Sequence, residues 1–191
     1  MALVLISAPS VEPIALADAK AQLRVDADDE DALIASLITT ARVHLERTLG
    51  LALITQGWSY YLDHWPRSGT VALPVRPVQA VNAVKVHDAI GGVTTLDEST
   101  YAVDPLSQPG RLMVMAAMPP VATRQLNAFE IDFTAGYGDE AEDVPAPIRQ
   151  ALLLLVAHWF ERREPVSFNE GAAEVPMSVA ALLMPYRRFG L

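Results

Sequence analysis

The chain has 191 residues, 14 Lys and Arg against 23 Asp and Glu, a formal charge of −9 and no cysteine. With 51% hydrophobic residues it is too apolar for a disordered chain, and its length is enough to bury a core as one domain or two small ones. The missing cysteine excludes disulfide frameworks, thiolate zinc sites and thiol nucleophiles, and the acidity argues against a protein that holds DNA by phosphate neutralisation.

In chain order, Leu3 to Ile6 is apolar, but no basic region and no full apolar stretch accompany it, so it does not read as a signal peptide. Leu16 to Arg24 reads as a short amphipathic helix with Leu16, Ala19 and Leu23 on one face. Asp28 is placed to cap a second helix, with Asp31 three residues on. Leu33, Ile34, Leu37, Ile38, Ala41, Leu45 and Leu49 form its apolar stripe, and Gly50 is placed to end it.

The period then changes from 3.6 to 2. Ile54, Trp58, Tyr60 and Leu62 fall on one face of a strand. Val84 and Val86 alternate with Lys85 and His87, and Phe129, Ile131 and Phe133 alternate with Glu130, Asp132 and Thr134. Gly91-Gly92 reads as a hairpin turn, and frequent prolines keep the strands short. Helix returns after Val144, with Pro145 and Pro147 suited to a first turn. Ala151 to Ala157 is apolar on every side, which predicts burial all round, in a core or between subunits. The run to Phe160 falls well short of the ~20 residues a membrane span needs. Val166 to Pro176 reads as a loop, and Met177 to Met184 as a last helix stopped by Pro185. Consecutive strands between helical ends predict an α+β fold. Its helical bundle comes from about 14–50 and 145–186, its antiparallel β-rich insertion from about 52–135, and its tail from 186–191, as one domain.

Chemistry is sparse. His158 and Glu161 could make half a metal site, but no second helix offers a matching pair, so the reading is a helix histidine near a solvated glutamate. Asp63-His64 has no partnered nucleophile, and His44 and His87 are isolated. Gly136-Tyr137-Gly138 fits no phosphate loop and precedes an acidic run. No enzyme, cofactor or metal is expected. The acids gather in two clusters, Asp26 to Asp31 and Asp139 to Asp143, whose Asp28, Asp29, Glu30, Asp139 and Glu140 read as helix-start solubilisers or as a surface that docks a basic partner or repels DNA. Met1 to Asp143 holds 9 basic and 19 acidic residues, and Val144 to Leu191 holds 5 and 4. The aromatic and apolar neighbours of Arg187-Arg188 favour docking over a frayed end.

Several stretches, taken in order, carry a resemblance. They are Leu16 to Val25, Asp28 to Ile34, Ala52 to Gln56, Leu73-Pro74 with Pro77-Val78, Tyr101 to Asp104, Pro109 to Leu112, Phe133 to Gly138 leading into Val144 to His158, and Ala181 to Arg187. Together the pattern resembles the head–tail connector (adaptor) proteins of long-tailed phages and of phage-derived gene transfer agents. Ala15 departs from it, since a Ser or Thr cap often precedes the first helix there.

The resemblance implies a structural virion protein at the head–tail junction, made in the host cytoplasm. Its copies would form a ring, usually of twelve, beneath the portal protein, extend the DNA channel without gripping DNA, and carry the next tail component, the stopper. No membrane is involved. By position Tyr186, Arg187, Arg188, Phe189 and Leu191 would dock on the portal. Leu152, Leu153, Leu155, Val156 and Trp159 would face the core or a neighbouring subunit. The rivals are another virion ring component (a stopper or tail terminator, expected to be mostly β) and a small-molecule-binding or hydrolytic domain using His64 or His87.

Overall fold

A computed structural model describes residues 1–115, 122–162 and 176–187. Its contacts divide the chain into two compact units, a helical one (Val11–Ile54 with Gly138–Leu191) and a β one (Met1–Ser10 with Thr55–Tyr137). The expected α+β mixture of helices and antiparallel sheets is present.

The helical unit holds α1 (Leu16–Leu23), α2 (Asp31–Leu49), α3 (Ala146–Glu161) and α4 (Met177–Leu183). α1 packs on α2 and α3, α2 on α3, and α3 on α4. The stripe of α2 is buried through Ile34, Ile38, Ala41, Leu45 and Leu49, and α3, which packs on α2, buries Ile148, Leu152 and Leu155. Each such aliphatic side chain contributes roughly 1.5–3 kcal/mol when fully buried. Leu33, at the edge of the stripe, stays exposed. Gly50 ends α2 with φ of 65°, a left-handed turn that costs glycine little.

The start of α2 differs from the cap expected of Asp28. The helix begins at Asp31 after Glu30, which makes no side-chain cap bond. The Asp28 carboxylate instead accepts from Lys20 at 2.7 Å, and Lys20 also lies 2.7 Å from Asp31. A charge-assisted bond to α1 outcompetes the local cap. Ala15 likewise precedes α1 with no side-chain cap. Pro145 and Pro147 flank the first residue of α3, where an N–H would be unpaired anyway. Within the single chain Leu153, Leu154 and Ala157 of α3 are only half-buried, so burial on those sides would have to come from a neighbouring subunit.

The β unit holds β1 (Ala2–Ser7), β2 (Gln56–Leu62), β3 (Thr70–Ala72), β4 (Val78–His87), β5 (Val93–Thr95), β6 (Tyr101–Asp104), β7 (Arg111–Val114) and β8 (Phe129–Ala135). One sheet has the order β1-β2-β8-β4-β5 and a smaller one the order β3-β7-β6. Every pairing is antiparallel. Trp58, Tyr60 and Leu62 stand opposite Phe133, Ile131 and Phe129, and Val84 and Val86 stand opposite Ile131 and Phe129, so one face of the large sheet is apolar. Ile54 precedes the strand rather than joining its face. In the β4–β5 turn the Asp88 carboxylate accepts from the N–H groups of Ile90 (2.9 Å) and Gly92 (2.7 Å). β1 is a strand that the short apolar run at Leu3 to Ile6 did not announce, because its conformation comes from pairing with β2. Among the described residues no helix is long and apolar enough to cross a membrane.

Candidate functional site

At the end of the helical unit, α4 stops at Leu183 and tightens into a 3₁₀ turn over Met184–Tyr186. Pro185 lies inside that turn, since a proline near the start of a turn loses no bond. Arg187 is exposed and lines a groove of about 440 Å³ with Arg47, Thr48, Leu49 and Gly50 at the C-terminal end of α2. Two cations there oppose the partial negative charge of the helix end. Tyr186 is half-buried. Arg188, Phe189 and Leu191 lie outside the described residues.

On α3, Leu152, Leu155 and Val156 are buried within the single chain. Leu153 and Trp159 are half-buried. The Trp159 ring meets His44 of α2 edge to face, with centroids 5.8 Å apart. Leu153 borders a second groove, of about 230 Å³, with Pro13, Ile14, Asp18, Glu142 and Arg149. The Nε of Arg149 is buried and makes no hydrogen bond among the described residues.

The acids divide by role. The bond from Lys20 lowers the Asp28 carboxyl from its ordinary value. Asp29 and Asp139 are exposed, and Glu30 is half-buried at the start of α2. Glu140, also exposed, has its backbone N–H bound by the Asp143 carboxylate at 3.1 Å. A Cβ on Gly138 would lie 2.1 Å from that carboxylate, so the turn demands glycine. Part of the second cluster is therefore a structural turn.

Two polar arrangements escape sequence reading. In the helical unit Arg42 is buried; its Nε donates to Glu12 at 2.8 Å and its Nη1 to Glu46 at 3.0 Å. Glu46 also accepts the Leu53 N–H at 2.9 Å, so one carboxylate ties α2 to the strap that follows it. Only the i,i+4 spacing of Arg42 and Glu46 was a signal. In the β unit the polar face of the large sheet carries a file of paired charges. Lys85 lies 2.9 Å from Glu130 and 2.5 Å from Asp132. Ser59 donates to Asp132, and His87 Nε2 lies 2.8 Å from the nearly buried Glu130. Bonds to Asp132 and then Glu130 raise the Lys85 ammonium above its ordinary range.

This placement bears on the candidate histidines. His87 is engaged by a carboxylate that also serves Lys85, and Asp63 accepts the Asn127 N–H at 2.8 Å beside an exposed His64. Neither arrangement presents a nucleophile to a base. Among the described residues no cluster of three potential ligands could hold a metal.

A family model described as "Head completion protein" matches residues 13–189. The chain belongs to the head completion protein family. This family member is also similar to chains in solved gene transfer agent (GTA) assemblies. One lies in the virion of a native GTA particle, at 29% identity and a TM-score of 0.83, covering 100% of this chain and 97% of that one. Another lies in the neck of an empty GTA particle computed with C6 symmetry, at 29% identity and 0.84, with the same coverage. A third lies in the neck of a native GTA particle computed with C12 symmetry, at 30% identity and 0.75, covering 98% and 97%. No curated protein sequence matches the chain.

Proposed function

We propose that this head completion protein is a structural subunit of the neck of a phage or phage-like particle. It is a head–tail connector whose copies form a ring of about twelve beneath the portal, extend the DNA channel and carry the next tail component. One observation carries this reading: the match over the whole chain to chains from GTA necks of C12 and C6 symmetry. A closed ring follows from repeated head-to-tail contact between identical subunits.

The role is scaffolding rather than catalysis, in keeping with polar clusters whose members bond to one another. The segment from Tyr186 through Arg187 to Arg188, Phe189 and Leu191 docks on the portal, where the Arg47–Arg187 groove favours an acidic or carbonyl-rich counterpart. Asp29 and Asp139, exposed and with no cation paired to them among the described residues, together with Glu30 and Glu140, supply the negative surface past which DNA slides. Leu152, Leu155 and Val156 serve the subunit's own core, and Leu153 and Trp159 are the α3 residues open enough to meet a neighbour.

Electron microscopy of the protein assembled with its portal tests the reading. A ring of about twelve copies with an axial hole is expected, and a portal that recruits no ring would overturn it. Deleting residues from Tyr186 onward should abolish attachment. Duplex DNA should show no tight, salt-sensitive gel shift with the free protein.

A further inference from the structure

One edge of the β unit's large sheet is left bare among the described residues. β1 is an outer strand of the five-stranded sheet, paired with β2 on one side and, among the described residues, with no strand on the other. All six of its residues are exposed. An outer strand presents a row of free N–H and C=O groups, and soluble proteins blunt such edges with lysine, proline or inward charge. β1 has none of these devices, its sequence being Ala-Leu-Val-Leu-Ile-Ser. Its only irregularity is a bulge between Leu5 and Ser7, at one end. Side chains alternate along a strand. Leu3 and Leu5, 39% and 44% exposed, therefore take one face and Val4, 42% exposed, the other, while Ile6, 64% exposed, is the unpaired residue of the bulge. A strand apolar on both faces is the pattern of one covered on both faces and paired on both edges.

The opposite edge of the same sheet is also open among the described residues. β5 is wholly exposed, with Val93 54% exposed and Ile90, in the turn before it, 94% exposed. The five strands alternate in direction, so β1 and β5 run in the same sense. This pair of edges matches what a ring requires. A cyclic assembly uses two different patches on every subunit, whereas a β1-to-β1 contact closes at two copies. Neighbours in a twelvefold ring differ by one-twelfth of a turn, so corresponding strands stay nearly parallel. The β5 edge of one copy can thus meet the β1 edge of the next as a parallel pair, slightly weaker per residue than an antiparallel one.

We propose that the β1 edge takes the β5 edge of a second copy of this chain, so that the large sheets join head to tail around the ring. This contact presupposes the ring proposed above. The test places the photo-crosslinking residue p-benzoylphenylalanine at Ile6, or at Val4 should that variant fail to fold, in chains assembled with the portal. Irradiated rings should yield a product of twice the chain mass, with the joined peptide between residues 84 and 100. Intact rings that give no such product, or that join the crosslinker to the portal or to another part of the chain, overturn the contact and leave the ring standing. Failure to form any ring overturns both. As a second measurement, the double variant Val4→Lys with Ile6→Lys should keep the circular dichroism spectrum and lower ring yield at least tenfold. An unchanged yield overturns the contact.

Discussion

The two units of the molecule spend charge differently. The helical unit holds 16 acidic against 9 basic residues, a balance of −7, and the β unit 7 against 5, a balance of −2. In the helical unit acid collects at helix starts and turns, and Arg42 with Glu12 and Glu46 forms a largely buried ionic group. In the β unit Lys85, Glu130 and Asp132 lie in a file across one face of the large sheet, each matched to a neighbour, while the other face is filled by Phe129, Ile131 and Phe133. A period of 3.6 lets a helix surround a buried stripe with solvated acid, whereas a period of 2 sorts inner strands such as β4 and β8 into one wet and one dry face. The strongly negative unit suits a surface that repels phosphate. The nearly neutral one, with its bare edges, suits contact between copies.

The largest effects should come from the two dry cores. Phe133→Ala should cost about 4 kcal/mol and Leu152→Ala about 3 kcal/mol in urea unfolding of the isolated chain. A Leu152→Ala loss below about 1 kcal/mol would move that residue from the core to a subunit contact and blur the division.

Next in size is the ionic group of the helical unit. Arg42→Ala leaves two carboxylates without their partner and should cost about 3 kcal/mol. Glu130→Gln, on the sheet face, should cost only about 1 kcal/mol, because Lys85 keeps Asp132. Equal losses from the two substitutions would erase the contrast between an enclosed ionic group and a file on a sheet face.

The smallest effect is confined to the β6–β7 turn. Bonds from the Ser107 hydroxyl and from Arg111 hold the Asp104 carboxyl at about 2, below its ordinary value. A depressed value means that these bonds stabilise the turn fully above about pH 4, the unfolded range, and are lost as pH falls toward about 2. The protection factors of the amides in β6 and β7 should fall over that window, and Asp104→Asn should remove the dependence.

Much of the architecture was legible because it rests on local patterns. The stripe of α2, the Gly50 stop, the paired prolines of α3 and the alternation in β4 and β8 each follow from one period or one backbone requirement. The family was legible too, through the order of many weak stretches. Of the C-terminal residues proposed to dock, only Tyr186 and Arg187 lie among the described residues, and the groove that Arg187 lines with Arg47 depends on two segments far apart in sequence.

What the sequence determined by itself was the alternation of helical and strand segments, the absence of thiol chemistry and the overall acidity, all properties of neighbouring residues or of simple counts. The tertiary structure decided which acids are spent on Lys20 and Arg42, that Leu3 to Ile6 is an outer strand, and that the acidity divides by unit rather than at residue 143. Those outcomes turn on pairings across the chain, such as the 30 residues between Glu12 and Arg42, and a pattern confined to one segment carries no information about its distant partner.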